Sequence, residues 1–349
     1  MSQRTRAGLI AACLLAVLWA VAAFTALPYV TYSPGPTVDI LSATEGKEKV
    51  QVSGHKAYHD DGELRLTTIY VDDPQESVTL LELLKAYVDP DEAVYPRSAV
   101  YAPDETDESS ERMSTVQMVS SQDSAVATAL TELGYDVDEV VEVLDVSEDL
   151  PADGRLEVRD VLLEVGGRPI SEPQDVVEAV DAAPVGEPLE FVVRRDGDEV
   201  SVEVTPREFD GDKRVGITPG SGFTFPFDVR VDIGDSIGGP SAGLMMALAV
   251  YDTLTPGSLT GGHSIAGTGT VTRDGEVGPI GGIQQKIAAS RDVGAELFLV
   301  PAGNCDGVAG VDSEDMRLVR ATTMHDAVQS IEAWVEDPDA SLPTCEDPA

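Results

Sequence analysis

The chain has little of what metal and redox chemistry require. Its 349 residues include three cysteines and four histidines. His55 and His59 stand four apart, but Gly54 and Asp60-Asp61-Gly62 flank them as turn signals, so they read as surface histidines. His263 and His325 are isolated and no HExxH pattern occurs, so neither a metal nor another cofactor is expected. Basic side chains are scarce as well: 23 Lys and Arg stand against 63 Asp and Glu, a formal net charge of −40. Such a surface repels phosphate backbones, which removes nucleic acid from the expected partners. There is no G-x-x-x-x-G-K-[ST] phosphate loop, and no internal repeat is evident.

Only one apolar run is long. Ala7 to Leu27 is free of charge over about 21 residues. At ~1.5 Å per residue that crosses a hydrocarbon core of ~30 Å. Arg4 and Arg6 precede the run and no basic residue follows until Lys47. The positive-inside rule then keeps the N-terminus in the cytoplasm and the rest outside, as a single-pass cell-membrane protein. A cleaved signal peptide is the competing reading, because Ala20, Ala22 and Ala23 permit cleavage; the length of the run favours a retained anchor. Cys13 falls within the run. Cys305 and Cys345, placed outside the cytoplasm, could pair with one another or stay as two thiols.

Texture divides the rest. Residues 1–31 form the N-terminus and anchor, and Tyr32-Ser33-Pro34-Gly35-Pro36 reads as a stiff, turn-rich exit from it. Within 32–136, Glu63 to Val71 alternates as a strand, Val78 to Val88 reads as a helix, and Ala102 to Arg112 as an acidic loop. Met113 to Leu133 then carries apolar residues at helical spacing, ended by Gly134. Residues 137–208 hold short β-rich runs around one helical stretch, Pro173 to Ala182. Residues 209–336 alternate strands with helices, and 337–349 form an acidic, Pro-containing tail.

Two segments carry chemistry. In Gly238-Gly239-Pro240-Ser241-Ala242-Gly243-Leu244 a serine opens an apolar helix. The glycines permit tight turning, and helix N-termini leave N–H groups unsatisfied, which suits oxyanion stabilisation by the loop of Gly238, Gly239 and Ser241. Pro240 has no N–H to give. In Gly281-Gly282-Ile283-Gln284-Gln285-Lys286-Ile287 a lysine lies just inside another helix. A lysine becomes a base when desolvated and kept from carboxylates, and Val277 to Arg291 contains no Asp or Glu. Taken singly, a helix lysine is usually a solvated charge and a serine at a helix start usually a cap.

Together the two segments are specific. Gly-Pro-Ser241-Ala-Gly resembles the nucleophile motif of Lon proteases. Gly275 through Lys286, continuing into Ala288-Ala289-Ser290-Arg291, resembles their lysine motif, and Ala266-Gly267-Thr268-Gly269-Thr270 the strand before it. The resemblance implies a Ser241–Lys286 dyad oriented by Thr268, and is strongest over Val215 to Val335. Where ATP-dependent relatives have aspartate, this chain has Gly239. Leu150-Pro151-Ala152, Leu156, Asp160-Val161-Leu162 and Val165-Gly166-Gly167-Arg168-Pro169-Ile170 resemble a PDZ domain of the bacterial protease type, departing at Arg159, where that family has glycine. The implied fold is α+β: a Lon-type proteolytic domain with an inserted β-rich PDZ domain, preceded by one transmembrane helix.

The expected function is ATP-independent serine endopeptidase action on flexible or unfolded polypeptides, whose extended or C-terminal segments the PDZ domain binds by strand addition. Lon-type domains resemble ring formers, so a homo-oligomer is a possible assembly. Two alternatives stay open. Gly239-Pro240-Ser241-Ala242-Gly243 also fits the G-x-S-x-G elbow of an α/β-hydrolase-like esterase with His325 as base. The chain could also be a non-catalytic membrane scaffold that recruits peptides through its PDZ domain.

Overall fold

The computed structural model describes residues 3–44, 46–209, 211–234 and 237–347. The last two residues of the expected tail lie outside them. Gln3–Phe24 forms a helix of 22 residues with a mean hydropathy of 2.5 and none of its apolar window buried. Among the described residues it is the one helix long and apolar enough to cross a membrane.

Beyond it, one six-stranded sheet gathers distant parts of the chain. Its order is Arg317–Ala321, Leu297–Pro301, Ser264–Gly267, Glu63–Val71, Tyr29–Asp39, Ala93–Pro96. The first four strands are parallel; Tyr29–Asp39 and Ala93–Pro96 pair antiparallel. Parallel strands buried on both faces read as unbroken apolar runs. In Leu297–Pro301, Leu297 and Leu299 enter one core while Phe298 and Val300 enter the other. The first core holds the helix Gly243–Leu254, buried at every residue except Tyr251, with Asp107–Glu132 packed beside it. The second holds Ile283 and Ile287 of the helix Ile283–Asp292.

Two local readings change. Tyr32 to Pro36 is not a turn but part of the strand Tyr29–Asp39, whose register with Glu63–Val71 breaks between Pro34 and Thr37. The prolines lack donors and fall at this irregularity. Gly35 permits the close approach: a Cβ there would stand 2.4 Å from Thr68 Oγ1. The acidic stretch expected as a loop instead supplies the first turns of Asp107–Glu132. Thr106 caps that helix through the Ser109 N–H, and Asp107 and Glu108 sit where the helix dipole favours negative charge.

Between Ala93–Pro96 and Ser264–Gly267 the chain builds a second sheet, ordered Asp198–Val204, Leu189–Arg195, Val161–Val165, Asp138–Val146, Ile217–Thr224. The helix Pro173–Ala182 covers it, over a core centred on fully buried Phe191. The edge strand Ile217–Thr224 carries this sheet past the expected boundary at 208, because it pairs along all of Asp138–Val146. Arg159 keeps the left-handed backbone (φ 72°) that glycine would take. Its guanidinium reaches Asp123 and Gln122 on Asp107–Glu132, tying the two folded units together.

The tail is not free either. Arg320 N–H donates to the Pro343 carbonyl, Leu342 is buried, and Cys345 is bonded to Cys305. The tail therefore packs alongside the strand Arg317–Ala321, which would otherwise be an open sheet edge.

Candidate active site

Ser241 sits in the turn just before Gly243–Leu254, one residue past Pro240. Its loop is held from the side by the helix Asp107–Glu132. Gly239, at φ 83°, donates its N–H to the Ser114 carbonyl, and Ser121 Oγ donates to the Pro240 carbonyl. A Cβ on Gly238 would stand 2.8 Å from Ser114 Cβ, so the loop lies close against that helix. The Ser241 carbonyl accepts from the Gly269 N–H and from Thr268 Oγ1 at 3.0 Å. The serine is thus fixed from two sides while its own N–H has no partner among the described residues.

Lys286 enters from the opposite face of the sheet. Gly282, left-handed at φ 69°, opens its helix, and the Lys286 N–H closes the first turn onto the Gly282 carbonyl at 3.0 Å. A Cβ on Gly282 would stand 2.8 Å from Ile69, so glycine answers both the backbone angle and the space. The side chain is 2% exposed. Its Nζ lies 2.7 Å from Ser241 Oγ, 3.0 Å from Thr268 Oγ1 and 3.1 Å from the Thr67 carbonyl. No carboxylate faces it, and burial alone pulls its pKa down from 10.5 to about 7. Desolvation disfavours the ammonium and nothing nearby restores it.

Ser241, Lys286 and Thr268, expected from sequence, therefore share one hydrogen-bonded cluster. Gly238 and Gly239 border it, but the Gly239 N–H is already spent on Ser114, which leaves the Gly238 and Ser241 N–H groups of that loop without a partner among the described residues. Three contributors carried no sequence signal. Thr67 supplies the carbonyl that receives Lys286, and its Oγ1 donates to the Gly267 carbonyl, locking Glu63–Val71 onto Ser264–Gly267. Ser114 and Ser121 brace the loop from a helix more than a hundred residues earlier. His325 is not brought to Ser241; it pairs on the surface with Glu132 at 2.6 Å and with Gln329.

The cluster opens into a cavity of about 610 Å³ whose walls include Val38, Ile69, Tyr70 and Ile237. Lys286 is the one ionisable ammonium or carboxylate in that lining. A second cavity, of about 680 Å³, runs between the helix Pro173–Ala182 and the edge strand Ile217–Thr224, with Val176, Val180, Leu150 and Phe209 in its walls.

Residues 232–333 match the profile of the Lon protease (S16) C-terminal proteolytic domain, and residues 115–205 match that of the PDZ domain. The chain is 35% identical over 96 residues to a Lon protease of Campylobacter concisus, covering 26% of this chain and 12% of that protein. It is 42% identical over 66 residues to a Lon protease of Desulforamulus reducens, covering 19% and 8%. The chain thus spans about a tenth of the length of these relatives. Among solved structures, the PDZ domain of the SdrC-like protein from Listeria innocua is 24% identical, with a TM-score of 0.21, over 22% of this chain and 90% of that one. Over residues 232–333, then, the chain carries a C-terminal proteolytic domain of the Lon (S16) type, joined on the same polypeptide to a PDZ domain.

Proposed function

We propose that the chain is a membrane-anchored serine endopeptidase that hydrolyses peptide bonds through a Ser241–Lys286 dyad. The observation that carries this reading is the 2.7 Å contact between Ser241 Oγ and the Nζ of a lysine that is 2% exposed and faces no carboxylate. Neutral Lys286 takes the Ser241 proton as Oγ attacks the substrate carbonyl. The oxyanion that forms is met by the free Ser241 N–H. The lysine ammonium then gives its proton to the leaving amine, and an acyl-enzyme remains. Water, deprotonated by Lys286, attacks the ester and releases the acid product and the serine. Thr268 receives a hydrogen bond from Nζ and holds the Ser241 backbone, so it keeps both partners in register.

The 349 residues contain no phosphate loop, and we read cleavage as independent of nucleotide hydrolysis. Substrates are then flexible or unfolded polypeptides, laid in extended form across the apolar cavity. The cavity beside Ile217–Thr224 supports peptide docking by strand addition, with apolar side chains entering between Val176 and Val180. The charge asymmetry around Gln3–Phe24 and the bonded Cys305–Cys345 pair both support a catalytic domain outside the cytoplasm.

The test is peptide cleavage without nucleotide by the full chain and its variants. Ser241→Ala and Lys286→Ala should each lower kcat by on the order of 10³ or more, as losses within a unit that acts together do. Thr268→Val should give a smaller loss, and His325→Ala none. Activity retained in Lys286→Ala and lost in His325→Ala would overturn the dyad in favour of a Ser-His esterase.

A further inference from the structure

Outside the anchor, the exposed apolar side chains concentrate on one short helix. Leu80–Val88 (LLELLKAYV) begins at Thr79, whose hydroxyl accepts from the Glu82 N–H in a capping box. It buries Leu83 and Ala86 against the body of the protein. The opposite face is also apolar. Leu80, Leu81, Leu84, Tyr87 and Val88 are 40%, 43%, 51%, 84% and 76% exposed. At ~100° per residue these five positions fall within one arc of roughly 120°. Lys85 lies beside that arc and pairs with Glu92, and Glu82 falls roughly opposite the arc's centre. A helix apolar on two faces, with one of them open to water, is not explained by the fold it belongs to.

Its position names what covers it. Val78–Thr79, the two residues before the helix, pair antiparallel with Ala26–Leu27, the two residues just past the apolar helix Gln3–Phe24. Paired strands lie ~4.8 Å apart, so the exposed face begins where the apolar helix ends. The helix Gln3–Phe24 also packs directly on Leu80–Val88 and on Val78–Thr79. The apolar surface of the one is therefore continuous with that of the other.

We propose that Leu80–Val88 is an interfacial helix that seats its Leu80, Leu81, Leu84, Tyr87 and Val88 face in the headgroup region of the bilayer crossed by Gln3–Phe24. The proposal rests on the reading of Gln3–Phe24 as a membrane anchor. The occupant is the lipid interface rather than a protein partner, because the anchor sets this face at the membrane boundary. The contact is apolar; a chain of net charge −40 draws nothing from anionic headgroups, so zwitterionic lipid is the matched surface. Tyr87, the most exposed of the five, suits the headgroup level, where one end of the ring is apolar and the other wet.

The chain carries two tryptophans, Trp19 in the apolar helix and Trp334 in the folded body, and these provide the internal references. The full chain is reconstituted in phosphatidylcholine vesicles whose acyl chains carry bromine at a shallow or a deep position. A Tyr87→Trp reporter is made with Trp19→Phe and Trp334→Phe, and retained peptide cleavage shows that it has folded. The expected result is quenching of Trp19, at least twofold quenching of the Tyr87→Trp reporter by the shallow bromine and less by the deep one, and none of Trp334. Adding Leu81→Glu and Leu84→Glu to the reporter should abolish its quenching. Quenching of Trp19 with none of the Tyr87→Trp reporter would overturn the interfacial helix and leave the anchor standing. Absence of quenching at both positions would overturn the anchor reading, and the proposal with it.

Discussion

As the base of the proposed dyad, Lys286 must be neutral to accept a proton, whereas in water it would be charged. Burial at 2% exposure, with hydroxyl and carbonyl partners only, lowers its pKa to about 7, so that a large share is neutral near pH 7. In the proposed dyad the group lowered to about 7 is the base, so peptide cleavage should rise with pH through about 7 and level above it. One unit below that value, about a tenth of the base is free and the rate should fall about tenfold. A pH–rate profile flat between pH 5 and 9 would show that Lys286 is not the base. The acid-free stretch from Val277 to Arg291 makes the lysine legible in the sequence, because neighbouring carboxylates, opposite in sign, would have held it charged. Thr67 is not legible. It contributes a backbone carbonyl, which every residue possesses, and only the pairing of Glu63–Val71 with Ser264–Gly267 brings it to Nζ.

The helix Asp107–Glu132 does three things at the scale of an element. Ser114 and Ser121 hold the Ser241 loop, Ala125 to Leu130 fill the core, and Gln122 and Asp123 receive Arg159 from the PDZ domain. Opposite Asp123 lies Glu142, buried on the strand Asp138–Val146, with its side chain over Gly222. Burial first, and then the charge of Asp123, push the Glu142 carboxyl up to about 9. Asp123 Oδ2 and Glu142 Oε1 have no other partner, so one proton held on Glu142 relieves both. A carboxyl protonated in the fold but ionised in the unfolded chain above its ordinary 4.5 favours folding fully below that pH. Its contribution is lost as pH climbs toward about 9. Glu142→Gln should therefore raise the melting temperature at pH 8 and flatten its decline between pH 5 and 9. A steeper decline in the variant would assign the pH dependence to other groups. Arg159 shows why this junction escapes a sequence reading. Its departure from glycine suggests an altered turn, yet the left-handed backbone is kept and the side chain serves the neighbouring unit.

At the scale of the molecule, the C-terminal tail and the N-terminal strand close the fold. The Cys305–Cys345 bond spans 40 residues and holds the tail beside Arg317–Ala321. Chain-entropy arguments give such a loop about 4 kcal/mol of stabilisation. Cys345→Ser should lower the melting temperature by several degrees under oxidising conditions and should match the wild-type chain melted with a reductant. Equal melting temperatures with and without reductant would show that the bond does not support the fold. At the other end, the strand that leaves the apolar helix runs into the cavity beside Ser241 and Lys286. Tyr32 and Val38 line that cavity, and Tyr32 lies eight residues past Phe24, at most ~29 Å of extended chain.

Read alone, the sequence determined what is local or repeated at short spacing: the apolar N-terminal run, the strand Glu63–Val71, the helix Pro173–Ala182, and the two glycine-bounded segments around Ser241 and Lys286. Each is specified by residues adjacent in the chain, through periodicity, capping and backbone freedom. The tertiary structure decided what depends on partners far apart. It turned Tyr32 to Pro36 from a turn into a strand, because Glu63–Val71 offers it a ladder. It extended the PDZ-like sheet to Thr224 and bound the tail to an edge. It also set Nζ 2.7 Å from Oγ across 45 residues. A desolvated base and its serine meet only when both faces of one sheet are built, and no short window of sequence contains both faces.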